Sequence, residues 1–198
     1  MFIVLKEVVI MSQTITSDKR KFFSTKELTL TAIMAAVIAI CAWITIPATV
    51  EFTLQIFGVF CALEILGGKN GTSAIIVYIL LGAVGLPVFA GFSGGLGALT
   101  SSTGGYIIGF LFIGLVYWAS KRFIGKHIVV RITAMLIGLA LCYAFGTAWF
   151  MYVYTRNTEA VTLLQALKWC VSPFIPFDIA KMALAILIAN RVKKYAKL

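Results

Sequence analysis

The sequence predicts an all-α integral membrane protein, a compact bundle of six transmembrane helices with both termini cytoplasmic. Three observations predict it. First, 61% of the 198 residues are hydrophobic and 12% are charged, against about 45–50% and about 25% in soluble domains. Mean hydropathy is +1.02, and a chain of this length has no interior that could hide so much apolar surface from water. Second, the apolar residues run continuously, without the period-two alternation of a membrane barrel. Third, the positive charge falls on alternate connections.

The spans follow in order. A membrane helix needs about 20 mostly apolar residues. Six segments qualify or come near: Leu28–Ile46, Leu54–Leu66, Thr72–Leu86, Gly105–Ala119, Val129–Val153 and Phe174–Ala189. The second and third are short, so they tilt or are buried among the others. Lys6, Lys19, Arg20, Lys21 and Lys26 precede the first span. Lys69 lies between the second and third. Lys121, Arg122, Lys126 and Arg131 lie between the fourth and fifth, and Arg191, Lys193, Lys194 and Lys197 follow the sixth. If six helices alternate, all of these share one side, and the other holds Arg156 and Lys168. The positive-inside rule makes the crowded side cytoplasmic and places the chain in the cell membrane. Topology and lipid headgroups then explain the net charge of +10, with no call for nucleic acid.

Residues 1–25 read as a cytoplasmic or interfacial tail, without the small-residue cleavage site of a signal peptide, and 26–198 as the membrane domain. Met11 is an alternative start. Cys41, Cys61, Cys142 and Cys170 are scattered, form no C-x-x-C pair, and read as small apolar core residues without disulfides. No P-loop and no H-E-x-x-H is present, and His127 is the sole histidine. A metal site, a catalytic constellation and a resident cofactor are therefore not expected. Unaided ATP hydrolysis is excluded.

Four features draw attention. Asp178 and Lys181 lie three apart, so they share a helix face, and Asp178 is the one acidic residue placed well within a span. An ionised group at the centre of a membrane helix costs about 2.5–3.5 kcal/mol. Such a pair either fixes the helix or contacts a buried solute. Ser172 and Pro173 read as the N-cap and first position of that helix. Pro176 leaves a carbonyl without its helical donor. The second feature is the uncharged run Pro87–Gly105, with Gly91, Gly94, Gly95 and Gly97 beside Phe89, Phe92 and Leu96. It reads as a flexible connector or as a lid whose backbone approaches a ligand. Third, Gln55 opens the second helix with both a donor and an acceptor, while Tyr106, Tyr143 and Trp149 offer aromatic faces in outer halves of helices. Fourth, Ala32/Ala36 and Ala35/Ala39 are small residues at four-residue spacing, suited to close helix approach, within the bundle or against another membrane subunit.

Gly85–Gly97, the following Thr103-Gly-Gly-Tyr106 and Pro176-Phe-Asp-Ile-Ala-Lys181 together resemble the BioY family, the biotin-specific S components of energy-coupling factor (ECF) transporters. The likeness runs from about Lys26 to Arg191. It implies capture of biotin near the outer face, and partners comprising a transmembrane coupling protein and two cytoplasmic ATPases. It also implies that Ala32, Ala35, Ala36 and Ala39 dock to the coupling protein. Biotin's ureido ring has two N–H donors and a carbonyl, its sulfur ring is apolar, and its tail ends in a carboxylate. On this resemblance Asp178 accepts from a ureido N–H, and Lys181 donates to the ureido oxygen or neutralises the tail. Gln55 serves either polar edge. Phe92, Tyr106 and Tyr143 form an apolar wall, and Gly94, Gly95 and Gly97 close over it. A self-sufficient secondary transporter is the alternative, although no internal repeat supports it.

Overall fold

The computed structural model describes residues 24–46 and 51–196; the expectations for the tail and for Met11 lie outside them. The chain is mostly helical. Its elements are α1 (Thr25–Trp43), β1 (Thr45–Ile46), β2 (Phe52–Thr53), α2 (Gln55–Ala83), a 3-10 turn (Ala90–Phe92), α3 (Leu96–Thr100), α4 (Gly104–Phe123), α5 (Ile128–Asn157), α6 (Leu163–Cys170) and α7 (Ile175–Ala196). β1 and β2 form a two-residue antiparallel ribbon, with Thr45 opposite Thr53. Ser24 begins α1 with a capping box, its hydroxyl accepting from the Glu27 amide while the Glu27 carboxylate accepts from the Ser24 amide.

Four described helices, α1, α2, α4 and α5, are long and apolar enough to cross a membrane. The α6–α7 pair, bent by 41°, adds a fifth candidate. α2 is not one straight rod. Gly67 has φ +83° and ψ 178°, far from helical values, and an L side chain rarely adopts this backbone. Gln55 and Tyr78 hydrogen-bond at 2.6 Å, although an unbroken helix would hold them roughly 35 Å apart. A Cβ on Gly71 would lie 2.7 Å from the Leu63 Cα. The limbs 55–66 and 68–83 are therefore a helical hairpin, and its tip needs glycine at 67.

The hairpin is the centre of the core. Phe60, Leu63, Ile75 and Tyr78 are fully buried, and α2 packs against α1, α4 and α7. α4 and α5 form the other large contact. Their backbones approach along a seam where Gly109 meets Cys142 and Gly138 meets Ile113. A Cβ at either glycine would come within 2.7 Å and 2.6 Å of those residues.

The two ends of the bundle differ. At one end Asn70, just past the hairpin tip, donates to Glu27 at 3.2 Å, and Arg131 pairs with Glu64. Glu64 is fully buried, so Asp178 is not the only acid deep in a helix. A guanidinium partner from α5, invisible in the local sequence, makes that burial tolerable. At the other end lie the β ribbon and the glycine-rich run. This run is anchored rather than slack: Trp43 Nε1 donates to the Pro87 carbonyl at 2.9 Å, and Phe89 is fully buried.

One local expectation changes. Residues 171–174 form the turn that links α6 to α7, and α7 begins at Ile175. Ser172 and Pro173 therefore do not start the helix. Pro176 falls in its first turn; the Ile175 and Asp178 amides donate to the Val171 and Phe174 carbonyls, while no backbone amide among the described residues donates to the Ser172 carbonyl, four residues before the proline. α6, begun by a Thr162–Gln165 capping box, occupies the stretch between the fifth and sixth expected spans.

Candidate functional site

A cavity opens at the ribbon end. Its walls come from six places: Glu51 and Thr53 before α2, Gln55 and Ile56 at the start of α2, Ala90, the start of α4, the middle of α5, and α6–α7. Three of these are helix beginnings. They gather here because α2, α4 and α7 all start at this end.

Asp178 sits in the first turn of α7, where the helix dipole favours an anion. Lys181, one turn on, donates to Asp178 Oδ1 at 2.8 Å and to the Thr53 carbonyl at 2.8 Å. Its ammonium also lies 4.4 Å from the centroid of the Phe52 ring, a cation–π contact. The Tyr143 hydroxyl donates to Asp178 Oδ2 at 2.6 Å. Asp178 is 3% exposed and Lys181 8%, so the pair is nearly desolvated. This network ties α5, α7 and β2 into one polar wall.

The remaining wall is mostly apolar. Ile56, Ile107, Phe110 and Phe174 contribute carbon surface. Tyr106 lines the cavity while its hydroxyl lies 3.0 Å from the Thr147 hydroxyl. Gln55 is 4% exposed and donates through Nε2 to the Tyr78 hydroxyl. Its amide oxygen accepts no hydrogen bond among the described residues and so can accept from a ligand.

The structure thus brings Asp178, Lys181, Gln55, Tyr106 and Tyr143 into one cavity. It does not bring Phe92, Gly94, Gly95 or Gly97 to the wall. Phe92 is 63% exposed and stacks on Trp43 at 5.1 Å between centroids. Gly94 packs against the Leu86 carbonyl. The Gly95 amide donates to the Gly82 carbonyl at 2.7 Å, and Gly97 has open space beside it. From this run the cavity takes Ala90 and Thr103.

Glu51 and Thr53 lie in the outward stretch that ends at Gln55, and Thr103 opens the motif that ends at Tyr106, so sequence marked their neighbourhoods; it missed Ile56, Ala90, Ile107, Phe110 and Phe174. Ile107 and Phe110 had a findable signal, being one and four residues from Tyr106 on α4. Cys142 and Cys170 are buried, free and part of the wall, more than core filler. Ala35 and Ala39 are buried, whereas Ala32 and Ala36 are exposed, so the two alanine pairs face different ways.

The sequence model of the BioY family matches residues 11–198. A relative named biotin transporter BioY, from Thermotoga maritima, is 40% identical over 174 residues, covering 85% of this chain and 96% of that protein. A probable biotin transporter BioY from Pyrococcus horikoshii is 38% identical over 169 residues, covering 85% and 96%. A crystal structure of the S-component for biotin from an ECF-type ABC transporter is similar at a TM-score of 0.73 and 29% identity. It covers 85% of this chain and 91% of that one.

Proposed function

This chain belongs to the BioY family, and we propose that it captures biotin as the S component of an ECF transporter. Its role is transport and not catalysis. The observation that carries the reading is the nearly desolvated Asp178–Lys181–Tyr143 network facing an otherwise apolar cavity. That contrast suits a ligand with a small polar head on a carbon frame. The ureido N–H groups need acceptors, which Asp178 Oδ2 and the Gln55 amide oxygen supply. The ureido oxygen needs a donor, and the Lys181 ammonium keeps a third N–H beyond the two it uses. Ile107, Phe110 and Phe174 accommodate the sulfur ring and the methylenes of the tail.

Counting the two hairpin limbs separately and α6–α7 as one gives six crossings. Lys26, Lys69, Lys121, Arg122, Lys126 and Arg131, with Arg191, Lys193 and Lys194, then mark the cytoplasmic end. Both termini lie there, and the cavity faces outward. α1 presents Ala32 and Ala36 outward between the exposed Leu28 and Ile40. This shallow strip suits close approach by a helix of the coupling protein, while Ala35 and Ala39 serve the bundle. Reorientation would be powered by the two ATPases.

The test is equilibrium binding of biotin to the purified chain in detergent, without partners, with other vitamins as competitors. The expected result is saturable one-to-one binding displaced only by biotin analogues. A folded sample that binds none refutes capture by this chain. Biotin accumulation in vesicles holding this chain alone would instead favour self-sufficient transport.

A further inference from the structure

Tyr78 carries a polar group where its surroundings call for none. It lies on the second limb of the α2 hairpin, is fully buried, and belongs to the same apolar core as Phe60, Leu63 and Ile75. A phenylalanine would fill that space without the cost of burying a hydroxyl. Among the described residues the hydroxyl has one hydrogen-bond partner, the Gln55 side chain, whose Nε2 donates to it at 2.6 Å. Gln55 lines the ligand cavity, and Tyr78 stands behind it, outside the cavity wall.

The contact ties the two limbs together at the open end of the hairpin. Gln55 is the first residue of the first limb, and the Thr53 hydroxyl accepts from its backbone amide at 3.3 Å. Its backbone is thus held, and the amide at the tip of the side chain is the part left to be placed. That amide has a donor end and an acceptor end. With the NH₂ end spent on Tyr78, the oxygen is the end offered to the cavity. Tyr78 is itself held from behind. Phe89, from the glycine-rich run, meets its ring edge-on, 5.5 Å between centroids and 78° between planes. Phe89 in turn fills the space beside Gly82, where a Cβ would collide with its ring, and the Gly82 carbonyl accepts from the Gly95 amide at 2.7 Å. The run therefore reaches the ligand site indirectly, through Phe89, Tyr78 and Gln55.

We propose that Tyr78 is a positioning residue for ligand capture: it holds the Gln55 amide so that its oxygen is presented to a ligand N–H. This rests on the reading of the cavity as a biotin site, since the ureido ring brings that N–H. Without the phenol hydroxyl the Gln55 amide turns about its last torsion, which is broad and roughly two-fold. It then offers its NH₂ as readily as its oxygen, and it has freedom to lose when a ligand arrives. The ring of residue 78 supports the fold, and its hydroxyl serves the ligand.

The test is a double-mutant cycle read by biotin affinity. The full chain, Tyr78→Phe, Gln55→Leu and the double variant are purified in detergent, and the Kd of each is measured by titration calorimetry. Gln55→Leu should weaken binding about tenfold and Tyr78→Phe about three- to fivefold. Added to Gln55→Leu, Tyr78→Phe should cost less than about twofold, because it then has no amide to place. Thermal unfolding without ligand separates positioning from folding. Tyr78→Phe keeps the ring and the Phe89 contact, so its Tm should stay close to the parent's. The double variant should be at least as stable as Gln55→Leu, which leaves the buried phenol unpaired. An equal loss of affinity on adding Tyr78→Phe to the parent and to Gln55→Leu would make residue 78 a packing residue and overturn the proposal. Parent-like affinity in Tyr78→Phe overturns it as well. A folded parent that binds no biotin overturns the reading of the cavity itself, and the proposal with it, before any variant is compared.

Discussion

Asp178→Asn probes the ligand site with the least change in shape. The parent carboxylate accepts from Tyr143 at 2.6 Å and from Lys181 at 2.8 Å. Asparagine keeps one acceptor, which Lys181 can hold. The second oxygen becomes an NH₂ that donates, so it no longer receives a ligand N–H. The interaction lost to the ligand is one charge-assisted hydrogen bond, about 1.5–3 kcal/mol, or roughly ten- to hundredfold in Kd. Stability moves separately. Lys181 keeps the Thr53 carbonyl and the Phe52 face but loses its anionic partner. Breaking a buried pair from one side costs about 3–5 kcal/mol, and the remaining amide oxygen and the open cavity reduce that. Titration calorimetry with biotin reads the first effect, and thermal unfolding without biotin reads the second. Adding Lys181→Met to Asp178→Asn should recover part of the lost stability, because neither charge is then orphaned, and none of the lost affinity. A folded Asp178→Asn variant that binds biotin as tightly as the parent would refute the reasoning. The pair would then be only a clamp between α7 and β2.

The other predictions concern the frame and the partner surface. Gly67→Ala forces an L side chain into φ +83° and should cost about 1–3 kcal/mol, seen as a lower Tm with biotin Kd little changed. Glu64→Gln leaves Arg131 without its counter-charge in a buried site and should destabilise by about 3–5 kcal/mol. Its biotin affinity, measured well below the new Tm, should stay within about threefold of the parent, since Glu64 lies outside the cavity wall. Ala36→Leu should leave Tm and biotin binding intact while weakening co-purification with the coupling protein. Ala39→Leu overfills a buried position and should lower Tm by about 1–3 kcal/mol equivalent.

Composition and charge placement made the class of molecule legible, because a bilayer leaves few alternatives for a chain this apolar. Asp178 and Lys181 were legible for the same reason, since ionisable residues stand out against a hydrocarbon background. The hairpin was legible as two short segments, and Lys69 marked the gap between them. Its sharpness depends on a backbone angle at Gly67 that composition does not encode. Glu64 was hidden because its partner Arg131 is 67 residues away. Phe92 was misleading in kind: an aromatic in a glycine-rich run looks like a ligand wall, yet it stacks outward on Trp43 while Phe89, three residues earlier, turns inward. Such alternation along a turn depends on local φ/ψ, including the left-handed Gly91 and Phe92, rather than on residue type.

The polar wall is built to be complete without its ligand and still able to bind one. Asp178 accepts from Tyr143 and Lys181, and Lys181 donates to Asp178 and Thr53, so each member of the network has a partner. A carboxylate has about four acceptor sites and an ammonium three protons, so spare capacity remains on both. A ligand can therefore add to the network instead of exchanging for part of it. The side chains are already ordered by contacts to α5, α7 and β2, so little rotamer entropy remains to be lost on binding.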